Sequence, residues 1–376
     1  MRLKHIKFVD FVTLQRGFDL PESQMKNGEV PVLGSNCTIG YHDVAKVDPP
    51  GVVTGRSGTL GLVQHTDVPY WPHNTALWVK DFKGNFPKYV YYKLITLHLE
   101  NYHGGASVPT LNRNVLRTLP LTITDYDTQV HVAEFLSAYD DLIKNNRRRN
   151  ELLEQAARLI YQEWFVRCRF PGHEHAKTID GIPAKWQKAS VSDLGEVITG
   201  KTPSTKKANY YGGEVPFIKT PDMHASSIVV KTESYLSEEG ARTQANKFIP
   251  PHSIMVACIG NRLGVVALNA YRAQTNQQIN TVVPFYDYIR YFAYFVLCDM
   301  KGLLEAYGGG ATMPNVNKSK FESMTLIMPD KELLVQFHDL VKPAFKQMQC
   351  LSEMNTELEK ARYLFLPRLM NGEIAI

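Results

Sequence analysis

The residues best placed to touch a nucleic acid sit in two short clusters beside glycine pairs. Asn112 and Arg113 follow Gly104-Gly105, and Asn317 and Lys318 follow Gly309-Gly310. Asn and Gln side chains match the adenine edge, while Arg and Lys match guanine or a phosphate. Gln277 and Gln278 lie in an amide-rich run from Asn276 to Asn280. Arg56, Ser57 and Thr59 lie on the glycine-rich segment Gly55–Gly61, which lacks the Gly-Lys-Ser/Thr ending of a phosphate loop. That segment reads as a hairpin able to present its side chains to a phosphate or a base edge. The candidate DNA-contacting set is therefore Arg16, Arg56, Ser57, Thr59, Asn74, Asn112, Arg113, Lys201, Thr202, Arg262, Gln277, Gln278, Asn317 and Lys318. For each of the turn asparagines and glutamines the competing reading is a side chain that bonds its own backbone.

Catalytic patterns are missing from this reading. Asp48-Pro49-Pro50-Gly51 resembles an adenine methyltransferase motif but lacks the aromatic that would stack on a flipped base. It reads instead as a turn before a strand at Val52. His173-Glu174-His175 is not HExxH and falls in a polar linker, so no metal is expected there. The five cysteines form no CxxC pair, which argues against a zinc ribbon or a disulfide framework and for reduced thiols. No catalytic residue, metal or cofactor is assigned.

The elements that carry these clusters are duplicated. Gly104, Gly105, Ala106, Pro109 and Asn112 reappear as Gly309, Gly310, Ala311, Pro314 and Asn317, each 205 residues later. GEVPVLGS from Gly28 is matched by GEVPFIKT from Gly213, and VVTGRSGTLGLV from Val52 by MVACIGNRLGVV from Met255. Asn74-Thr75 is set against Asn280-Thr281, and KTPS (Lys201–Ser204) stands where the first copy has RGFD (Arg16–Asp19). A period of this length is a duplicated domain, not a solenoid.

Each copy opens with short β-rich runs between Gly, Pro and Asn turns. These are Val52–Thr54, Leu60–Gln64, Ala76–Val79 and Leu119–Ile123, then Ser253–Ala257, Gly264–Leu268 and Thr281–Pro284. Helices are expected at Lys88–Asn101 and Tyr288–Tyr307. Each copy closes with a long helix carrying a heptad seam. In the first, Leu136, Ile143, Asn150, Ala157 and Trp164 form one row, with Tyr139, Asn146, Leu153 and Ile160 three residues on. In the second, Leu334, Val341, Met348, Asn355 and Arg362 are joined by Phe337, Ala344, Leu351, Leu358 and Phe365. Asn150 and Asn355 hold equivalent positions and are expected to fix the register of the helix pair. Pro343 is expected to kink or restart the second helix. About 40 helical residues span roughly 60 Å.

The fold class expected is α+β: two pseudo-repeated globular domains, spaced by two long helices pairing as an antiparallel coiled coil. The boundaries are 1–125 and 188–328 for the globular domains, 126–169 and 329–376 for the helices, and 170–187 for the linker. A net charge of +5 permits a nucleic-acid partner without requiring one. A content of 44% hydrophobic residues argues against disorder. Neither a signal peptide nor a membrane span is visible, so a cytoplasmic chain is expected.

The chain resembles the specificity subunit of Type I restriction–modification systems. The resemblance rests on NELLEQAARLIYQEWFVRCRFPGHE from Asn150, on GIPAKWQKASVSDLGEVITGKTPS from Gly181 with its Pro-x-x-Trp, and on the two Gly-Gly-x-x-x-Pro segments. The first copy has no Pro-x-x-Trp of its own. The resemblance implies that each globular target recognition domain reads one half of a bipartite, asymmetric site in double-stranded DNA. It implies that the helices set the spacer and dock two methyltransferase subunits. Motor–nuclease subunits would add ATP-dependent cleavage, and this chain would itself bind no cofactor. Three other readings share the residues: a specificity chain of a fused or Type IIB-like system, a self-contained DNA methyltransferase or nuclease, and a helical assembly scaffold.

Overall fold

The computed structural model describes residues 3–104, 109–224, 226–260, 262–308 and 314–374. The Gly-Gly segments fall largely outside them: of the residues matched above, Gly105, Ala106, Gly309, Gly310 and Ala311 are not among those described. The chain divides into two compact units, Met1–Leu142 with Leu358–Ile376, and Ile143–Glu357.

In the first unit a four-stranded sheet runs in the order Thr13–Arg16, Ala76–Asp81, Gly51–Gly55, Val63–Thr66. A three-stranded sheet joins Thr38–His42, Val30–Leu33 and Trp71–Pro72. Leu3–Lys7 pairs antiparallel with Pro120–Thr124, tying the start of the unit to the strand before the long helix. The Pro87–Thr96 helix starts with proline at its first turn, where the missing N–H costs nothing. Its Tyr89, Val90 and Leu94 face a core with Phe11, Val52, Leu77 and Leu121. Leu136 from the first long helix and Leu366 and Met370 from the second close that core.

The second unit repeats the plan. Its main sheet runs Gly195–Thr199, Ile279–Pro284, Ile254–Ala257, Val266–Asn269, with Ile228–Val229 added at the edge. Tyr235–Leu236, Tyr211–Ile218 and Gln274–Thr275 form the three-stranded sheet. Gln187–Ser190 pairs with Thr325–Met328. The expected helix at Tyr288–Tyr307 is two helices, Arg290–Asp299 and Lys301–Gly308. The expected Lys88–Asn101 helix likewise stops at Thr96, with a 3-10 turn at Leu99–Tyr102. The core of this unit is aromatic: Tyr161, Phe165, Phe292, Phe295, Phe337 and Phe345 pack edge-on and stacked.

The long helices span Tyr126–Tyr161 and Lys331–Met370, the first ending in a π turn at Gln162–Val166. Trp164, the last residue of its seam, therefore lies outside regular α-helix. Pro343 does not restart the second helix. Its side chain is exposed, so the Asp339 carbonyl that lacks a partner is on the solvent face and can be hydrated.

Within the second unit the helices run in opposite directions. Asn146 donates to Asn355 at 3.0 Å, and Asn150 donates to Ser352 at 2.9 Å. Asn150 and Asn355 are thus not each other's partners: opposite directions pair each with a residue near the other's equivalent. In the first unit, Arg362 bonds Asp140 and Phe365 meets Phe135 edge-on at 5.5 Å.

Candidate nucleic-acid interface

The first unit converges its candidate residues at one end of the main sheet. Arg16 ends its strand opposite Leu77. The chain then passes so close to the neighbouring loop that Gly17 has no room for a side chain: a Cβ there would lie 2.1 Å from the His73 carbonyl. Gly17 donates to Ala76 and Phe18 to Pro72, at 3.0 and 2.8 Å. The 73–76 turn is closed by Ala76 donating to His73 at 2.9 Å. Arg56 joins it twice, its backbone N–H on Thr75 at 2.8 Å and its side chain on the Asn74 carbonyl at 2.9 Å. Ser57 lies opposite Thr110, and Leu111 donates to Arg56 at 2.8 Å.

Arg16, Arg56 and Leu77 line an open cleft of about 380 Å³ together with Thr110, Asn112 and Arg113. Asp19 lies beside it, accepting from Arg16 at 3.2 Å and from Asn74. The Asn74 hydrogen bond, then the charges of Arg16, His73 and Arg56, hold its carboxyl below the usual carboxylate range. A cleft walled by guanidinium groups suits a polyanion.

The second unit builds the same frame. Gly200 has no room either, its Cβ falling 2.1 Å from the Asn276 carbonyl. Gly200 donates to Ile279 and Lys201 to Thr275, at 3.0 and 2.9 Å. Ile279 donates to Asn276, Cys258 to Gln278 and Val316 to Cys258. Thr202 donates its hydroxyl to Gln277 at 2.6 Å, and Thr220 donates to Gln278 at 3.2 Å.

This hydrogen-bond frame re-registers the repeat. Gly58 and Gly260 both have positive φ and both donate, to Pro109 and Pro314, so they correspond. Arg56 therefore stands with Cys258, one residue off the match made from the sequence. Asn74-Thr75 corresponds to Gln277-Gln278 and not to Asn280-Thr281. Asn280 is buried, accepting from Thr199 at 2.7 Å, and sits in the strand where the first copy has Leu77. RGFD corresponds to Thr199–Thr202 and not to KTPS.

Other candidates are bound to structural tasks. Asn112 and Asn317 are N-caps, accepting from Asn114 at 3.0 Å and from Lys320 at 2.9 Å. Lys318 pairs with Glu322 at 3.4 Å. Thr59 and Arg262 are exposed on the two connecting segments, and Thr59 is not part of the cleft lining. Asp19 went unrecognised as a site residue in the sequence. Its only signal there is its place in the RGFD run, whose true counterpart emerges from the hydrogen bonds.

Burial pushes the Cys258 thiol up to about 12, so it stays protonated at neutral pH. Among the described residues no three His, Cys, Asp or Glu side chains gather to hold a metal, and no helix is long and apolar enough to cross a membrane.

Comparison with known proteins gives this geometry a family. Residues 5–155 and 183–360 match the Type I restriction modification DNA specificity domain, once in each copy of the repeat. The specificity subunit of the HindI enzyme of Haemophilus influenzae is 31% identical over 346 residues, covering 76% of this chain and 74% of that one. The MjaIX specificity subunit of Methanocaldococcus jannaschii is 24% identical, covering 92% and 77%. The S subunit of a Type I system from M. genitalium has the same fold, with a TM-score of 0.64 over 98% of this chain and 96% of that one at 14% identity. The chain belongs to the Type I restriction–modification specificity subunits, which choose the DNA sequence on which such a system acts.

Proposed function

We propose that each unit reads one half of a bipartite, asymmetric DNA target, with the two long helices pairing as an antiparallel coiled coil that sets the unspecified spacer. The observation that carries this reading is the duplication of one loop frame with different side chains on it. Arg16, Arg56 and Asp19 stand in the first copy where Thr199, Cys258 and Thr202 stand in the second. Two copies of one reader with unlike side chains would read unlike half-sites. Buried amides at Asn146 and Asn355 support a single helix register.

Catalysis belongs, in this reading, to other subunits. Two methyltransferase subunits dock on the helices and methylate adenine, and motor–nuclease subunits add cleavage. The chain contributes target choice and works in the cytoplasm. Arg16, Arg56 and Arg113 meet phosphates or guanine, Lys201 and Arg262 meet phosphates, and Thr202, Gln277 and Gln278 meet base edges.

The test is methyladenine mapping in a host carrying this chain with its methyltransferase partner. A motif in two parts, absent without this chain, is expected. Replacing residues 181–329 by the corresponding domain of a relative should change one half-site and keep the other. A change in both halves would refute independent reading.

A further inference from the structure

Two side-chain pairs occupy one address in the repeated frame. In the first unit Asp19 follows Gly17-Phe18 and accepts from Asn74. In the second Thr202 follows Gly200-Lys201 and donates to Gln277 at 2.6 Å. The backbone around both is held identically: the residue after each glycine donates to the carbonyl four residues before the end of the facing turn, Phe18 to Pro72 and Lys201 to Thr275. Neither glycine can accept a Cβ, so both segments lie with backbone directly against their turns.

The chemistry displayed on this common backbone differs. The first pair is a carboxylate with an amide, the second a hydroxyl with an amide. Both can be reached from outside: the Asp19 side chain is 72% exposed, and Gln277 is exposed. Arg16 and Arg56 flank Asp19, so the DNA backbone has cations to meet here while the carboxylate would repel it. Arg16 and Asn74 both bond one oxygen of the Asp19 carboxylate, leaving the other as a free acceptor beside the cleft, and the donors DNA offers in the major groove are the amino groups of cytosine and adenine. The second pair lacks the anion. The Thr202 hydroxyl occupies one lone pair of the Gln277 carbonyl and fixes the plane of its amide, leaving the other lone pair and the N–H₂ for the acceptor-plus-donor edge of adenine.

We propose that Asp19–Asn74 and Thr202–Gln277 are the equivalent base-reading pairs of the two units, the first requiring cytosine or adenine through its amino group and the second requiring adenine. This rests on the reading that each unit takes one half-site. It adds Asp19 to the specificity-determining residues and assigns each pair a base class.

The test maps methyladenine in a host carrying the methyltransferase complex with the wild-type chain, Asp19→Asn or Thr202→Val. Expected for Asp19→Asn is a loss of discrimination on the order of tenfold at one position, a cytosine or adenine, with the other half-site untouched. Thr202→Val should do the same at an adenine of the other half-site. Should either variant leave no methylation, the purified complex is bound to targets randomised across both half-sites, which reads the same preference without turnover. Unchanged preference at every position, or an equal loss on all sequences, overturns the proposal and makes Asp19 a positioning residue for Arg16. A wild-type motif that is not in two parts overturns the half-site reading itself.

Discussion

Asn146 donates its side-chain amide to the side-chain carbonyl of Asn355 at 3.0 Å, both side chains buried between the two long helices. Asn355 also reaches back to the Ile143 carbonyl at 3.4 Å. Replacing Asn146 alone by leucine strands the Asn355 side-chain carbonyl in the interior and should cost about 1–3 kcal/mol. Replacing both by leucine removes the donor and acceptor together and should recover most of that loss, because a buried polar pair contributes to register more than to stability. Urea denaturation of the single and double variants checks the order.

Gly17 and Gly200 are the points where backbone must touch backbone. Alanine at either forces its Cβ against a carbonyl oxygen, and displacement of the loop should cost about 1–3 kcal/mol. Gly17→Ala should degrade recognition of one half-site and Gly200→Ala the other, read as two separate changes in the methylation motif. A shared effect on both halves would contradict the assignment.

Asn112 and Asn317 should behave as caps. Alanine at either removes the acceptor for a helix-start N–H, a loss of about 1 kcal/mol. A stability loss without a new base preference is expected from thermal melts and motif mapping together. Arg113, exposed in the cleft beside Asn112, should behave differently. Arg113→Ala should weaken binding about equally on all targets and lower the salt dependence by about one phosphate contact. Titration of the complex with DNA at several salt concentrations reads this slope.

Lys93 is buried and donates to the Met370 carbonyl at 2.9 Å. Burial lowers its pKa to about 8, against about 10.4 for a lysine in an unfolded chain. Between these values the unfolded chain binds more protons than the folded one, so this residue makes stability rise as pH climbs through that window. Lys93→Met should remove the rise. The difference in urea midpoint between the two chains at pH 7.5 and pH 9.5 isolates it from the cysteines and tyrosines, whose raised values act in the opposite direction.

The duplication and the long helices were legible from residue order. Each depends on short-range periodicity or on plain recurrence of Gly, Pro and Asn at fixed spacing. The heptad rows identified Leu136, Ile143, Asn146, Met348 and Leu351 as interior, and they are.

Which residue faces which was decided by the tertiary structure. Asn150 and Asn355 hold equivalent positions in the repeat, and the opposite helix directions decide that their partners are Ser352 and Asn146. The loop matches slipped for the same kind of reason. An alignment scores side chains, but the frame is held by backbone N–H and carbonyl groups, which carry no residue identity. Gly58 stands with Gly260 because both turn with positive φ toward a proline carbonyl, and this places Asn74 with Gln277 and Asp19 with Thr202. Those correspondences follow from strands far apart in sequence meeting across a sheet, which no local spacing encodes.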